Sequence, residues 1–142
     1  MEAAELHRNL QQFCGTEQVY RHSLCRNFCY TDGVKYMAEK AGAYWLLDAI
    51  GSYLGSKTKL TDAFKKNERL RDMQIWLLEP TGNSGAVLKC QEDTGPNQKV
   101  YVEQEIPYTD FPFDNGETFK LYVSWTQVGE QAVFMALLPS EY

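Results

Sequence analysis

Asp48 is the side chain whose position most needs a chemical reason. It is the only charged residue in the run Ala41–Ile50, AGAYWLLDAI, and a carboxylate buried without a partner is costly and tends to take up a proton. A donor is therefore expected beside it: a Tyr, His, Arg or backbone N–H. Two roles fit, a satisfied buried acid that fixes helix register, or a ligand-contacting or general acid/base group facing a pocket. Few residues could work with it. His7 and His22 are the only histidines, and His22 beside Ser23 is not a catalytic pair by sequence. Cys25 and Cys29 lie near a predicted helix N-terminus, where a thiolate can be stabilised, but no base or third residue is identifiable. The spacing His22-x2-Cys25-x3-Cys29, with Cys14 upstream, lacks the compact pairing of a zinc signature. The chain also has no Walker loop, dinucleotide-binding glycine fingerprint, GxSxG elbow or HExxH. No catalytic residue, metal or cofactor is expected.

The element that must position Asp48 reads as one long central helix, Tyr30 to Leu54. Thr31 or Asp32 can cap its start, and Val34, Met37, Ala38 and Ala41 form an apolar stripe opposite Lys35, Glu39 and Lys40. Beyond Lys40 it is apolar on nearly all sides, as a core helix is. Leu6, Leu10 and Phe13 give residues 2–13 a helical face; residues 16–30 read as an extended connection. Gly51, Ser52, Gly55 and Ser56 loosen the far end of the central helix, and Leu60 to Leu70 suits a short third helix.

From Met73 the period becomes two. Five strands follow, around Met73–Leu78, Leu88–Gln91, Val100–Ile106, Phe119–Trp125 and Ala132–Leu138, joined by turns rich in Gly, Asn and Pro. The fold class expected is α+β: N-terminal helices and one long central helix packed on a C-terminal antiparallel meander of about five strands. Residues 1–142 are expected to form a single domain, mainly helical over 1–70 and a sheet over 71–142. Trp76, Tyr101, Tyr122 and Phe134 are expected on the sheet face away from the helix, among Lys89, Glu103, Glu105 and Lys120. Such an aromatic and acidic patch suits a protein partner or self-association as a homo-oligomer.

Composition narrows the partners. Hydrophobic residues at 44% and aromatic ones at 13% exclude a mainly disordered chain. The net charge of −5 is uneven. Residues 1–79 hold 11 Lys and Arg against 10 Asp and Glu, a balance of +1, whereas residues 80–142 hold 3 against 9, a balance of −6. Phosphate backbones require a cationic surface, so no direct nucleic-acid contact is expected. No stretch has the length of a membrane span, and MEAAELHRNLQQF lacks a secretory h-region. A soluble, cytoplasmic protein with reduced cysteines is expected, with no membrane partner.

The runs Tyr20-Arg21-His22, Tyr30-Thr31-Asp32-Gly33-Val34-Lys35-Tyr36 and Ala41 to Ile50, with Tyr108-Thr109-Asp110-Phe111-Pro112 and Leu137-Leu138-Pro139-Ser140-Glu141-Tyr142, resemble a family of small bacterial proteins described as a domain of unknown function. The resemblance spans most of the chain and implies no chemistry. Tyr30, Asp32, Tyr36, Asp48 and Asp110 belong to the pattern, and His22 lies nearby; Cys14, Cys25 and Cys29 do not. Such proteins occur in bacteria, phages and plasmids, which implies an inhibitor that occupies a surface of a host or defence complex.

The leading expectation is therefore a non-enzymatic protein-binding module, of the anti-defence kind, contacting its partner through Tyr101, Glu103, Glu105 and Tyr122. The alternative is a small-ligand (nucleotide-like) binding protein or enzyme, with a pocket around Asp48 between the central helix and the sheet.

Overall fold

Glycine at position 42 decides how the central helical segment is built. In the computed structural model, which describes residues 2–15, 18–55 and 57–142, Gly42 adopts the left-handed conformation at φ 63°. The Ala43 N–H then returns to the Ala38 carbonyl at 2.8 Å. This closure ends a helix, because only glycine takes that conformation without steric cost. The expected single helix is thus two, α2 (Asp32–Ala41) and α3 (Tyr44–Tyr53). Thr31 caps α2 by accepting from the Val34 N–H at 3.2 Å.

The other helices are α1 (Ala3–Leu10), α4 (Lys59–Lys66) and α5 (Glu68–Asp72). The helix expected over Leu60–Leu70 is divided at Asn67, whose extended backbone breaks it and whose side chain caps α5 by accepting from the Leu70 N–H. Thr16, Glu17 and Ser56, assigned by sequence to the connection and to the loosened helix end, lie outside the described residues.

The five expected strands are present as β3 (Met73–Pro80), β4 (Ala86–Gln91), β5 (Val100–Ile106), β6 (Phe119–Val128) and β7 (Gln131–Leu137). Two more come from the connection before α2: β1 (Val19–Arg21) and β2 (Phe28–Thr31). Among the described residues the sheet has seven strands in the order β1-β2-β7-β6-β3-β4-β5. It is not a simple antiparallel meander, since β2 runs parallel to β7, with Phe28 opposite Phe134. The first half of the chain therefore supplies two strands of the sheet. Among the described residues, no helix is long and apolar enough to cross a membrane.

Each of these five helices contributes buried residues to one apolar cluster on one side of the sheet. Leu6, Met37, Leu46, Leu60 and Leu70, one from each helix, join a single cluster with Trp76, Leu88, Leu121 and Phe134. Trp76 is 1% exposed and donates from Nε1 to Gln74 Oε1 at 2.9 Å. Trp76 and Phe134 thus face the helices, contrary to expectation. Strand β3, MQIWLL, is apolar on both faces, so its alternation does not select one.

Candidate functional site

Turning Trp76 inward turns Met73, Ile75 and Leu77 outward, onto a face that, among the described residues, none of these five α-helices covers. Cross-strand register then assembles the surface. Leu137, Tyr122, Ile75, Gln91 and Val100 form one row across β7, β6, β3, β4 and β5. Lys120, Leu77, Lys89 and Glu103 form the next, and Glu79, Val87 and Glu105 the one after. Ile75, Leu77 and Leu137 are buried by their neighbours, while Tyr122, Met73 and Met135 are half-exposed. Tyr142 packs edge-on against Tyr122, ring centres 5.5 Å apart.

Charges gather at the β4–β5 side. Lys89 Nζ lies 2.7 Å from Glu79 Oε1 and 3.8 Å from Glu103 Oε1, and the Glu79 hydrogen bond holds the ammonium above its ordinary pKa. A cavity of about 480 Å³ lies against this face, between Ile75, Leu77 and Lys89 and the turn at 94–98. Of the four residues expected to form one contact patch, Glu103, Glu105 and Tyr122 do share the face. Tyr101 does not: it is the extra residue of a bulge, since Gln91 pairs Val100 while Cys90 pairs Val102. Its hydroxyl accepts from Asn67 Nδ2 at 3.3 Å, on the helix side.

Asp48 is exposed, not buried as its apolar neighbours in sequence suggest. Its side chain is 62% exposed, because α3 buries Leu46, Leu47 and Ile50 and turns Tyr44 and Asp48 to the surface. The buried partner is His22, 6% exposed. His22 Nδ1 accepts from the Leu24 and Cys25 N–H groups at 3.1 Å each, so the ring proton sits on Nε2 and is donated to Asp48 Oδ1 at 2.7 Å. With Nδ1 occupied by the backbone, the imidazole holds the 22–28 loop on α3 and offers no base to a substrate. Burial raises the Cys25 thiol pKa, and Asp48 raises it further; burial pushes Cys29 to about 11. Neither is an activated nucleophile.

Tyr30 stacks on Tyr20 at 6.0 Å, with Lys35 Nζ 4.4 Å above the Tyr20 ring. Tyr36 lies toward α1, where it accepts from Asn9 Nδ2 at 3.0 Å and packs on Phe13. Asp32 bonds the N–H of Gly33 beside it. Asp110 is exposed in a turn whose Thr109 N–H donates to Ser84 O. That turn is fixed by Phe111, packed on Phe119 at 4.9 Å, and by His7 Nε2–H donating to Pro112 O at 2.7 Å. The YTDG and YTDFP segments thus dock on different elements.

What meets YTDG is the chain end, which residue-by-residue reading missed although LPSEY was the visible signal. Glu141 Oε1 accepts from Thr31 Oγ1 at 2.7 Å and from the Leu138 N–H at 2.9 Å. The carboxylate lies over the α2 N-terminus, where negative charge is favoured. Burial raises its pKa despite the bonds from Leu138 and Thr31, and Oε2 is buried without a partner. A Cβ on Gly33 would stand 2.8 Å from this carboxylate.

Gly33→Ala is therefore expected to destabilise the protein by about 1–2 kcal/mol, by displacing Glu141 from its donors. In a Glu141→Ala background the same change should be neutral or stabilising by about 0.5–1 kcal/mol, since alanine is the better helix former. Urea unfolding of the four proteins checks this sign reversal; additive effects would refute it. The raised Glu141 pKa also means that its protonated form is the one favoured by folding. That contribution is complete below the unfolded pKa and is lost as pH rises through the folded value; Glu141→Gln removes it.

No curated protein and no solved structure matches the chain. Residues 4–142, which include both the uncovered face and the Glu141 clamp, match one family along their whole length, and the chain belongs to that family of unknown function, DUF6876.

Proposed function

We propose that this protein is a non-enzymatic protein-binding module whose partner docks on the uncovered sheet face. The observation that supports it is the one-sided packing: the helices share one face, while the other presents Tyr122, Met73 and Met135 around an apolar floor, rimmed by Glu103 and Glu105. Aromatic and methionine side chains at the centre of a patch with charges at its rim are the composition of a contact surface. The balance of −6 over residues 80–142 steers encounter with a basic partner and makes association salt-dependent. The finer form of the reading is a phage- or plasmid-encoded inhibitor that occupies a surface of a host defence complex.

A photo-crosslinking residue placed at 122, and separately at the exposed Lys65 of α4, tests the surface in the natural host. Position 122 should yield one stoichiometric adduct that position 65 does not. Tyr122→Ala should weaken binding of that partner at least about tenfold. Equal labelling from both positions, or no adduct from 122, overturns the proposed face.

A further inference from the structure

We infer that the edge strand β5 is a docking strand for an extended segment of the partner in which basic and apolar residues alternate. The inference rests on the binding-module reading and names the chemistry of its partner. β5 ends the sheet order, and among the described residues no hydrogen bond reaches its backbone from outside β4. The outer N–H and C=O groups of such an edge form a template for another strand. The bulge at Tyr101 confines regular pairing to Val102–Ile106.

The two sides of that stretch differ in chemistry. Glu103 and Glu105 are exposed on the uncovered face, about 7 Å apart at the strand repeat. Val102 faces the helices and borders a groove of about 500 Å³ in which Tyr53, Leu60 and Tyr101 form the apolar part, with Ser52, Thr58, Lys59 and the stem of Glu103 along its polar margin. An added strand alternates in the same way. Its Lys or Arg residues would oppose Glu103 and Glu105, and its apolar residues would turn into the groove.

A second copy is the wrong occupant. Antiparallel β5–β5 pairing centred on Gln104 sets Glu103 of one copy opposite Glu105 of the other, and like charges directly opposite are destabilising. The other edge, β1, has only three residues, too few for a comparable ladder.

The test uses the full chain and synthetic capped peptides: alternating lysine–valine, the same composition in lysine and valine blocks, and alternating glutamate–valine. The alternating lysine peptide should bind at least about tenfold tighter than the block peptide and slow hydrogen exchange at amides within residues 102–106. The double substitution Glu103→Lys/Glu105→Lys should reverse the preference to the glutamate peptide by a similar factor. Equal binding of alternating and block peptides would reduce the effect to bulk charge and overturn the inference. So would protection at β1 instead of β5, or concentration-dependent protection of β5 without peptide, which would assign the edge to self-association. Failure here with an intact adduct from position 122 overturns the docking strand alone; loss of that adduct with peptide binding intact overturns the face alone.

Discussion

Trp76→Ala is expected to lower the unfolding free energy by about 3–5 kcal/mol, the range for removing a large aromatic from a filled core. The indole is 1% exposed, lies 5.9 Å from the Tyr53 ring and donates to Gln74 Oε1. Gln74 is itself fully buried, and its Nε2 has no partner, so the substitution also strips its amide of the remaining side-chain bond. Tyr122→Ala, on the uncovered face and half-exposed, should cost no more than about 1 kcal/mol, as for a surface position. Denaturant unfolding of the two variants reads the orientation of the sheet. Comparable losses, or a larger loss for Tyr122, would mean that the faces are exchanged.

His22→Ala is expected to cost about 2–3 kcal/mol, and Asp48→Asn less than about 1 kcal/mol. The asymmetry follows from burial. Removing the imidazole orphans the Leu24 and Cys25 N–H groups and empties a space against the Phe28 ring, 5.7 Å away. Removing the Asp48 charge takes away one bond from a carboxylate that is 62% exposed, where water substitutes for the lost partner. Thermal unfolding together with exchange of the Leu24 and Cys25 amides checks both values. A large loss at Asp48 with a small one at His22 would reverse the assignment of the anchor.

These two sites show where sequence and structure diverge. Alternation placed strands β3 to β7, and the Leu6/Leu10 spacing placed α1, because in each case one face of the element is buried and the pattern records it. In β3 the alternation is intact but both faces are apolar, so it could not choose between Trp76 and Ile75 for the core. For Asp48, the apolar run around it suggests burial on all sides, whereas Gly42 is a stop signal inside that run. β1 and β2 are too short, at three and four residues, to establish a period, and β2 owes its place to a strand more than 100 positions later.

The candidate contact surface divides in the same way. Glu103 and Glu105, two residues apart on a strand, had to share a face whatever the register, and the acidic balance of residues 80–142 was readable directly. The clustering of tyrosines and acids in YTDG, YTDFP and LPSEY was visible, but not which segments meet. That depended on Leu138–Tyr142 reaching the α2 N-terminus, where Glu141 bonds Thr31 and lies against Gly33.

By itself, then, the sequence determined the α+β class, five of the strands, the start of α2 and the distribution of charge, since these depend on neighbours a few residues apart. The tertiary structure alone decided that Trp76 and Phe134 face the helices, that Asp48 is exposed while His22 is buried, and that β5 ends the sheet. Those outcomes depend on long-range pairing and on competition between two apolar faces for one layer of helices, and no local pattern of residues encodes the result of that competition.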